Sequence, residues 1–362
     1  MLRLCTRWFG VLLLDAGGRA VDERLFPKDA GAIAARMARV QRGELLEEER
    51  ELGARAGGAV AVSDARLLAV PGATPLAAPI VVEGASRGFD DALYREAMLR
   101  LARDRAREAL AGRDRHLVQA VATLDDLADV ANALAERLRE WYGLHFPELA
   151  DRVERHEEFA ALVSAHVTRE AIAKADPRWA PLLPDSIGAA LGEREAQAAR
   201  DLARALSTLY DTRGRIERYL EAAMPEMAPN LSALAGAALG ARLIALAGGL
   251  SQLASMSGGT IQILGAEKAI FRHLREGKAP PKHGAIFVHP LVHRAPRHQR
   301  GAMARALSNK IAVAARADAF TGADVRSDLA AALDKRVAEV RRTRASPTRR
   351  PPRRGPPRTG GR

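Results

Sequence analysis

Cysteine is almost missing: Cys5 is the only one in 362 residues. No intramolecular disulfide can form, and a lone thiol fits a reducing compartment. Aromatic residues are also scarce, at 4% against 48% hydrophobic residues overall. With alanine abundant, that balance argues against a β-sandwich and for helices packed through small side chains. No signal peptide is apparent, since the apolar run Val11 to Leu14 is short and ends in the turn sequence Asp15-Ala16-Gly17-Gly18. Only Leu231 to Leu250 is long and nearly uncharged, and it carries Gly236-x-x-x-Gly240. Alanine and glycine contribute little transfer energy, however, and a mid-span Arg242 costs about 2.5–3.5 kcal/mol in a bilayer. The expectation is a helix of a soluble protein that other surfaces approach closely, with no membrane association and a cytoplasmic location.

Catalytic and cofactor motifs are absent as well. Gly265-Ala266-Glu267-Lys268 lacks the full phosphate-loop pattern, and there is no Gly-x-Gly-x-x-Gly, Gly-x-Ser-x-Gly or His-Glu-x-x-His. Asp125-Asp126 lies in ordinary helical sequence. His273, His283, His289, His293 and His298 have neither metal-ligand spacing nor nearby cysteine. Interleaved with Lys282, Arg294, Arg297, Arg300 and Arg305, they fit RNA contact better, by stacking on bases and bonding to phosphates. The reading is a non-catalytic chain with no metal and no cofactor of its own.

What is present is an uneven charge. The formal net charge is +12, yet residues 341–362 hold nine arginines (341, 342, 344, 349, 350, 353, 354, 358 and 362) and no acid. Removing them leaves +3 for the preceding 340 residues. Rich in proline and glycine, the tail cannot bury apolar surface and is expected to be disordered. Its expected use is a non-specific phosphate grip that weakens as salt rises.

Along the chain, residues 1–112 read as a small α/β domain. Trp8 to Leu14, Ala59 to Ser63 and Pro79 to Glu83 are strand candidates, and Lys28 to Arg42 and Asp90 to Ala111 are helical candidates. Glu44, Glu47, Glu48, Glu49 and Glu51 read as a solvated helix face. Residues 113–225 read as an antiparallel coiled coil. One seam runs through Leu127, Ala131, Leu134, Leu138 and Trp141. The other runs through Ala199, Leu202, Leu206, Leu209, Arg213, Ile216, Leu220 and Ala223, in alternating steps of three and four. Pro147, Pro177, Pro181 and Pro184 forbid one continuous helix. Thirty helical residues span roughly 45 Å, so the pair acts as a spacer. Arg213 is placed to set register or to pair with an acid.

Residues 226–340 read as an all-helical module. Asn230 is the expected N-cap of one helix from Leu231 to Ala247. Beyond it, basic residues gather between Lys268 and Arg316. The overall expectation is a mainly α protein: small α/β domain, long coiled coil, helical module and basic tail.

Particular motifs then give a resemblance. Trp141-Tyr142-Gly143-Leu144-His145-Phe146-Pro147-Glu148-Leu149 resembles the sequence opening the coiled coil of archaeal and nucleolar Nop proteins. Ala228-Pro229-Asn230-Leu231, Gly240-Ala241-Arg242-Leu243-Ile244 and Ile263 to Arg272 resemble the Nop domain. So do Pro281-Lys282-His283-Gly284, His289-Pro290-Leu291, Asn309-Lys310, Ala314-Ala315-Arg316 and Asp318-Ala319-Phe320. The match is colinear over roughly 124 to 322.

The resemblance implies a core scaffold of the box C/D guide ribonucleoprotein, which directs 2′-O-methylation of RNA. It implies three partners: the guide RNA, a ribosomal-type kink-turn-binding protein, and the methyltransferase fibrillarin, which alone would carry S-adenosylmethionine. It also implies self-association through the coiled coil, and a nucleolar location in a eukaryote. The N-terminal third carries no family motif, so fibrillarin docking follows from domain order alone. The tail is arginine-proline rich where relatives are commonly lysine-rich.

Lys268, Arg272, Lys282, His283, Arg297, Arg300, Arg305 and Lys310 are assigned to RNA. Asn230 and Arg242 are assigned to the kink-turn-binding protein. Reversing Arg300 and Arg305 together is expected to abolish RNA binding without unfolding. Two alternatives remain: a spliceosomal-type scaffold that recruits no methyltransferase, and a generic RNA-binding protein. A stand-alone methyltransferase would require S-adenosylmethionine to bind this chain.

Overall fold

The computed structural model describes residues 1–76 and 82–346. The chain divides after Gly112 into two compact units. Its fold is mainly α, with a small α/β domain at the N-terminus and long helices after it.

The first unit is a five-stranded sheet, in the order β3-β2-β1-β4-β5, with three helices. Its strands are β1 (Leu2–Arg7), β2 (Gly10–Leu14), β3 (Ala20–Leu25), β4 (Val60–Val62) and β5 (Ala73–Pro75). The helices are α1 (Ala30–Gln41), α2 (Glu47–Arg55) and α3 (Asp91–Leu110). β2 is antiparallel to β1 and β3, while β4 runs parallel to β1 and β5. Every residue of β2 and of β4 is buried, which is why these two strands read as apolar runs. At Gly10 a Cβ would meet the Arg24 carbonyl at 2.6 Å, so β3 can approach this closely only against glycine. The Cys5 thiol is buried, and desolvation pushes its pKa up, leaving it inert.

Several expectations shift here. Trp8 and Phe9 form the β1–β2 turn, so the strand starts at Gly10 rather than Trp8. β1 and β3 carry arginines and acids along half-exposed faces, so neither announces itself by hydrophobicity. The expected strand Pro79 to Glu83 lies partly outside the described residues. Most of the acidic stretch is solvated, with Glu44 pairing to Arg39 and Arg42. Glu49 is the correction: it is fully buried and bonds Arg66 through both carboxylate oxygens, at 2.5 and 2.6 Å. It also accepts from Thr6 Oγ1 and from the Leu46 N–H, closing the N-terminus of α2.

The second unit starts with a hairpin of two long helices, α4 (Arg113–Tyr142) and α8 (Glu193–Met227). Leu117 and Val121 of α4 pack with Leu220 and Met224, whereas Ala131 to Tyr142 pack with Ala196 to Tyr210. The pair is therefore antiparallel. Between them, α5 (Pro147–Arg152), α6 (His156–Ala165) and α7 (Arg169–Ala175) close the tip around Phe146, Phe159 and Trp179. The seam on α8 differs from the expected one. Leu206 and Leu220 are buried, but Leu202, Leu209 and Ile216 are only partly covered. Ala203 and Tyr210 hold the buried positions instead. Steps of three and four fit either register; α4 and α6 both pack on α8, and the core they share takes Ala203, Leu206 and Tyr210. Arg213 faces Glu157 of α6 at 3.7 Å and lies over the Tyr210 ring.

The helical module follows: α9 (Pro229–Ala235), α10 (Ala237–Ala247), α11 (Leu250–Ser255), α12 (Gly258–Ile263), α13 (Glu267–Glu276), α14 (Pro290–His293), α15 (Arg300–Arg316) and α16 (Arg326–Thr343). Its centre is α15, whose Met303, Ala304, Leu307, Ile311, Ala314 and Ala315 are buried. The single helix expected from Leu231 to Ala247 is broken. Gly236 takes φ +78°, and α9 and α10 meet there at a 115° bend. Asn230 is not the cap either: Ala228 holds that position, with Pro229 next, and Asn230 sits inside α9. Among the described residues no single helix is long and apolar enough to cross a membrane, and only the bent α9–α10 pair meets that test. The tail expected to be disordered from Arg341 begins as helix instead: Arg341 and Arg342 lie in the last turn of α16, which runs to Thr343. Residues 347–362, with the remaining arginines from Arg349 to Arg362, lie outside the described residues.

Candidate nucleic-acid interface

An open groove of about 880 Å³ runs between α15 and α16, roofed by the loop from Ala279 to Lys282. Four of the eight residues assigned from sequence line it: Lys282, Arg297, Arg305 and Lys310. Gln262, a buried amide, positions two of them. Its Nε2 donates to the Lys282 carbonyl at 2.6 Å, and its Oε1 accepts from Arg305 Nε at 3.4 Å. The opposite wall brings Lys335 and Arg336, which sequence reasoning missed, and Arg344, which it had assigned to the tail. Leu329, Leu333 and Val337 form the buried stripe of α16, and that spacing already turns residues 335 and 336 to an adjoining face. Glu339 is the single carboxylate among the described lining residues. Arg336 bonds it at 2.5 Å and so holds its carboxyl below the usual range.

His283 and Arg300 do different work. His283 stacks on Phe287 with ring centroids 4.4 Å apart, nearly parallel. Arg300 lies over the same ring at 5.4 Å and donates to the carbonyls of Ala295 and His293, at 3.0 and 3.1 Å. Burial first, then the neighbouring Arg300, pushes the His283 pKa down, so the imidazole is neutral at pH 7. Because the Arg300 guanidinium is committed inside the fold, reversing it would disturb the loop before α15. The double reversal of Arg300 and Arg305 therefore does not isolate RNA contact.

Lys268 and Arg272 stand outside the groove, on α13. That helix buries none of its residues; Phe271 and Leu274 are exposed beside Lys268, Arg272 and Arg275. With Ala269, Ile270 and His273 half-buried beneath it, the exposed side of this amphipathic helix offers charge for phosphate and apolar surface for a base or a protein.

The two residues assigned to a protein partner are engaged within the chain. Asn230 is 1% exposed. Its Nδ2 donates to Asp318 Oδ1 and the Ala323 carbonyl, at 2.7 and 2.9 Å, and its Oδ1 accepts from the Val325 N–H at 2.8 Å. Its side chain thus ties α9 to the turn before α16 and has no surface left for a partner. Arg242 reaches across to Asp125 of α4, clamping α10 to the hairpin, yet it stays 41% exposed. It lines a second groove with Leu124, Leu220, Leu239, Leu246 and Val288.

Among the described residues no three histidine, cysteine or carboxylate groups gather as a metal site. His289 is structural: its Nε2–H donates to the Leu234 carbonyl, and its Nδ1 accepts from the Leu291 N–H, both at 3.2 Å. Burial pushes its pKa down, outweighing the carbonyl bond. The unfolded chain therefore binds this proton more readily than the folded one. The neutral ring's stability contribution is present above about pH 6.5 and is lost as pH falls through the lowered folded pKa. The urea midpoint is expected to drop from pH 7.5 to pH 5, and to drop less in His289→Gln; equal drops would assign the effect to other groups.

A helical hairpin carrying a basic, grooved helical module is the architecture of the second unit. A family model described as Nop, the snoRNA binding domain, fibrillarin, matches residues 123–339. With more than half its length matched, the chain belongs to the Nop family. An uncharacterised NOP5 family protein of Methanocaldococcus jannaschii is 44% identical over 245 residues, covering 65% of this chain and 59% of that protein. Nucleolar protein 58 of Schizosaccharomyces pombe is 38% identical over 223 residues, covering 58% of this chain and 44% of its own length. The chain thus aligns with about half the length of these curated relatives. A crystal structure of a fibrillarin/Nop5p complex matches 93% of this chain at 21% identity, with a TM-score of 0.42.

Proposed function

We propose that this chain is the non-catalytic core scaffold of a box C/D guide ribonucleoprotein. It would bridge kink-turn RNA and a small kink-turn-binding protein to fibrillarin, which performs 2′-O-methylation. The observation that carries this reading is the convergence of Lys282, Arg297, Arg305 and Lys310 on one groove, inside the span that matches the snoRNA binding domain. Charge-assisted bonds contribute about 1.5–3 kcal/mol each, so several cations on one strand suffice for stable binding. The exposed amphipathic α13 supplies a surface for RNA and protein together. S-adenosylmethionine belongs to fibrillarin. The first unit serves as the fibrillarin platform, and the hairpin serves for self-association.

The test is reconstitution from guide RNA, kink-turn-binding protein, fibrillarin and this chain, reading 2′-O-methylation of a complementary target. Methylation is expected to vanish when this chain is omitted and to persist when S-adenosylmethionine is supplied only through fibrillarin. Undiminished guided methylation without the chain would refute the scaffold role.

A further inference from the structure

We infer that α16 is a second RNA-gripping wall, with Lys335 and Arg336 holding a phosphodiester backbone from the side opposite Arg305 and Lys310. This deepens the RNA reading of the groove and rests on it. α16 turns two cations and one acid, Glu339, to the groove. Lys335 and Arg336 line the groove, and neither Asp328 nor Asp334 does. Both cations are exposed, while Leu329, Leu333, Val337 and Val340 anchor the helix beneath them. The far end of the wall is fixed too. The Arg344 carbonyl accepts from Gln299 Nε2 at 2.8 Å and sits 2.9 Å from His298 Nε2, which holds the end of α16 against the start of α15.

Seven cations therefore face one space from two walls and a roof: Lys282, Arg297, Arg305, Lys310, Lys335, Arg336 and Arg344. Like charges gathered this closely repel one another, and a polyanion relieves that repulsion. Glu339 bonds Arg336. It takes the Nη1 donor of the guanidinium that a phosphate would use and so acts as an internal competitor. A phosphate bound there displaces it.

Opposite effects are expected of neighbouring residues on α16. Binding of the full chain to a kink-turn RNA, with the kink-turn-binding protein present, is measured across a salt series. K335Q/R336Q is expected to weaken binding and to flatten the log–log salt dependence by roughly 1.4–1.8, about 0.7–0.9 per lost phosphate contact. E339Q is expected to tighten binding, because Arg336 is released to the RNA. A scaffolding role for α16 would instead lower the thermal midpoint in both variants and tighten neither. Unchanged affinity and slope in K335Q/R336Q, alongside lost binding when Arg305 and Lys310 are reversed, would overturn the second wall and leave the RNA reading standing. Failure of the parent chain to bind would overturn both.

Discussion

Reversing Arg305 and Lys310 together is expected to abolish binding of kink-turn RNA while the chain still folds. Both project from α15 into the groove, and among the described residues only a long 3.4 Å bond to Gln262 engages either side chain within the fold. Each cation donates a charge-assisted bond of about 1.5–3 kcal/mol, so losing two costs more than about 100-fold in affinity. The two new carboxylates add repulsion to that loss. Fluorescence anisotropy with labelled RNA reads the affinity, and circular dichroism melting reads the fold. An unchanged affinity in a folded variant would remove the groove from the interface. This pair replaces Arg300 and Arg305 as the informative reversal, because Arg300 is tied to Phe287 and two carbonyls.

Replacing Glu49 with alanine is expected to destabilise the first unit by about 3–5 kcal/mol. The Arg66 side chain is 6% exposed, and Glu49 supplies its two shortest bonds; Asp64 at 3.2 Å is a partial substitute. A buried guanidinium stripped of its carboxylate retains the whole desolvation cost with little attraction to offset it. Hydrogen exchange of the β1 and β2 amides localises the loss to this unit. Replacing both partners with methionine removes the stranded charge and is expected to recover much of the stability. A cost below about 1 kcal/mol for Glu49→Ala would mark the pair as no better than an exposed one.

The architecture was legible because periodicity survives without aromatics. Steps of three and four announced the hairpin, and prolines marked its ends. What periodicity could not settle was the choice between Leu202 and Ala203, or Leu209 and Tyr210. The covering helices α4 and α6, distant in sequence, decide it. Asn230 misled because asparagine before an apolar run suits a cap, whereas here Pro229 begins the helix one residue earlier. Its true partners, Asp318 and Val325, lie about 90 residues on, beyond any local signal. The basic set was half legible for a related reason. Charge density located Lys282 to Lys310, but only the fold shows that α16 returns to complete the groove and that Arg300 turns inward. Glu49 was hidden among the exposed Glu44, Glu47 and Glu51 and the half-buried Glu48, and nothing local separates it from them.

The measurement that tests the central claim most directly is binding of the full chain to a kink-turn RNA, with and without the kink-turn-binding protein, at matched salt. A composite RNA–protein surface predicts tight binding only when that protein is present. Equal, steeply salt-dependent binding in both cases would mean that charge alone holds the RNA, and would contradict the scaffold.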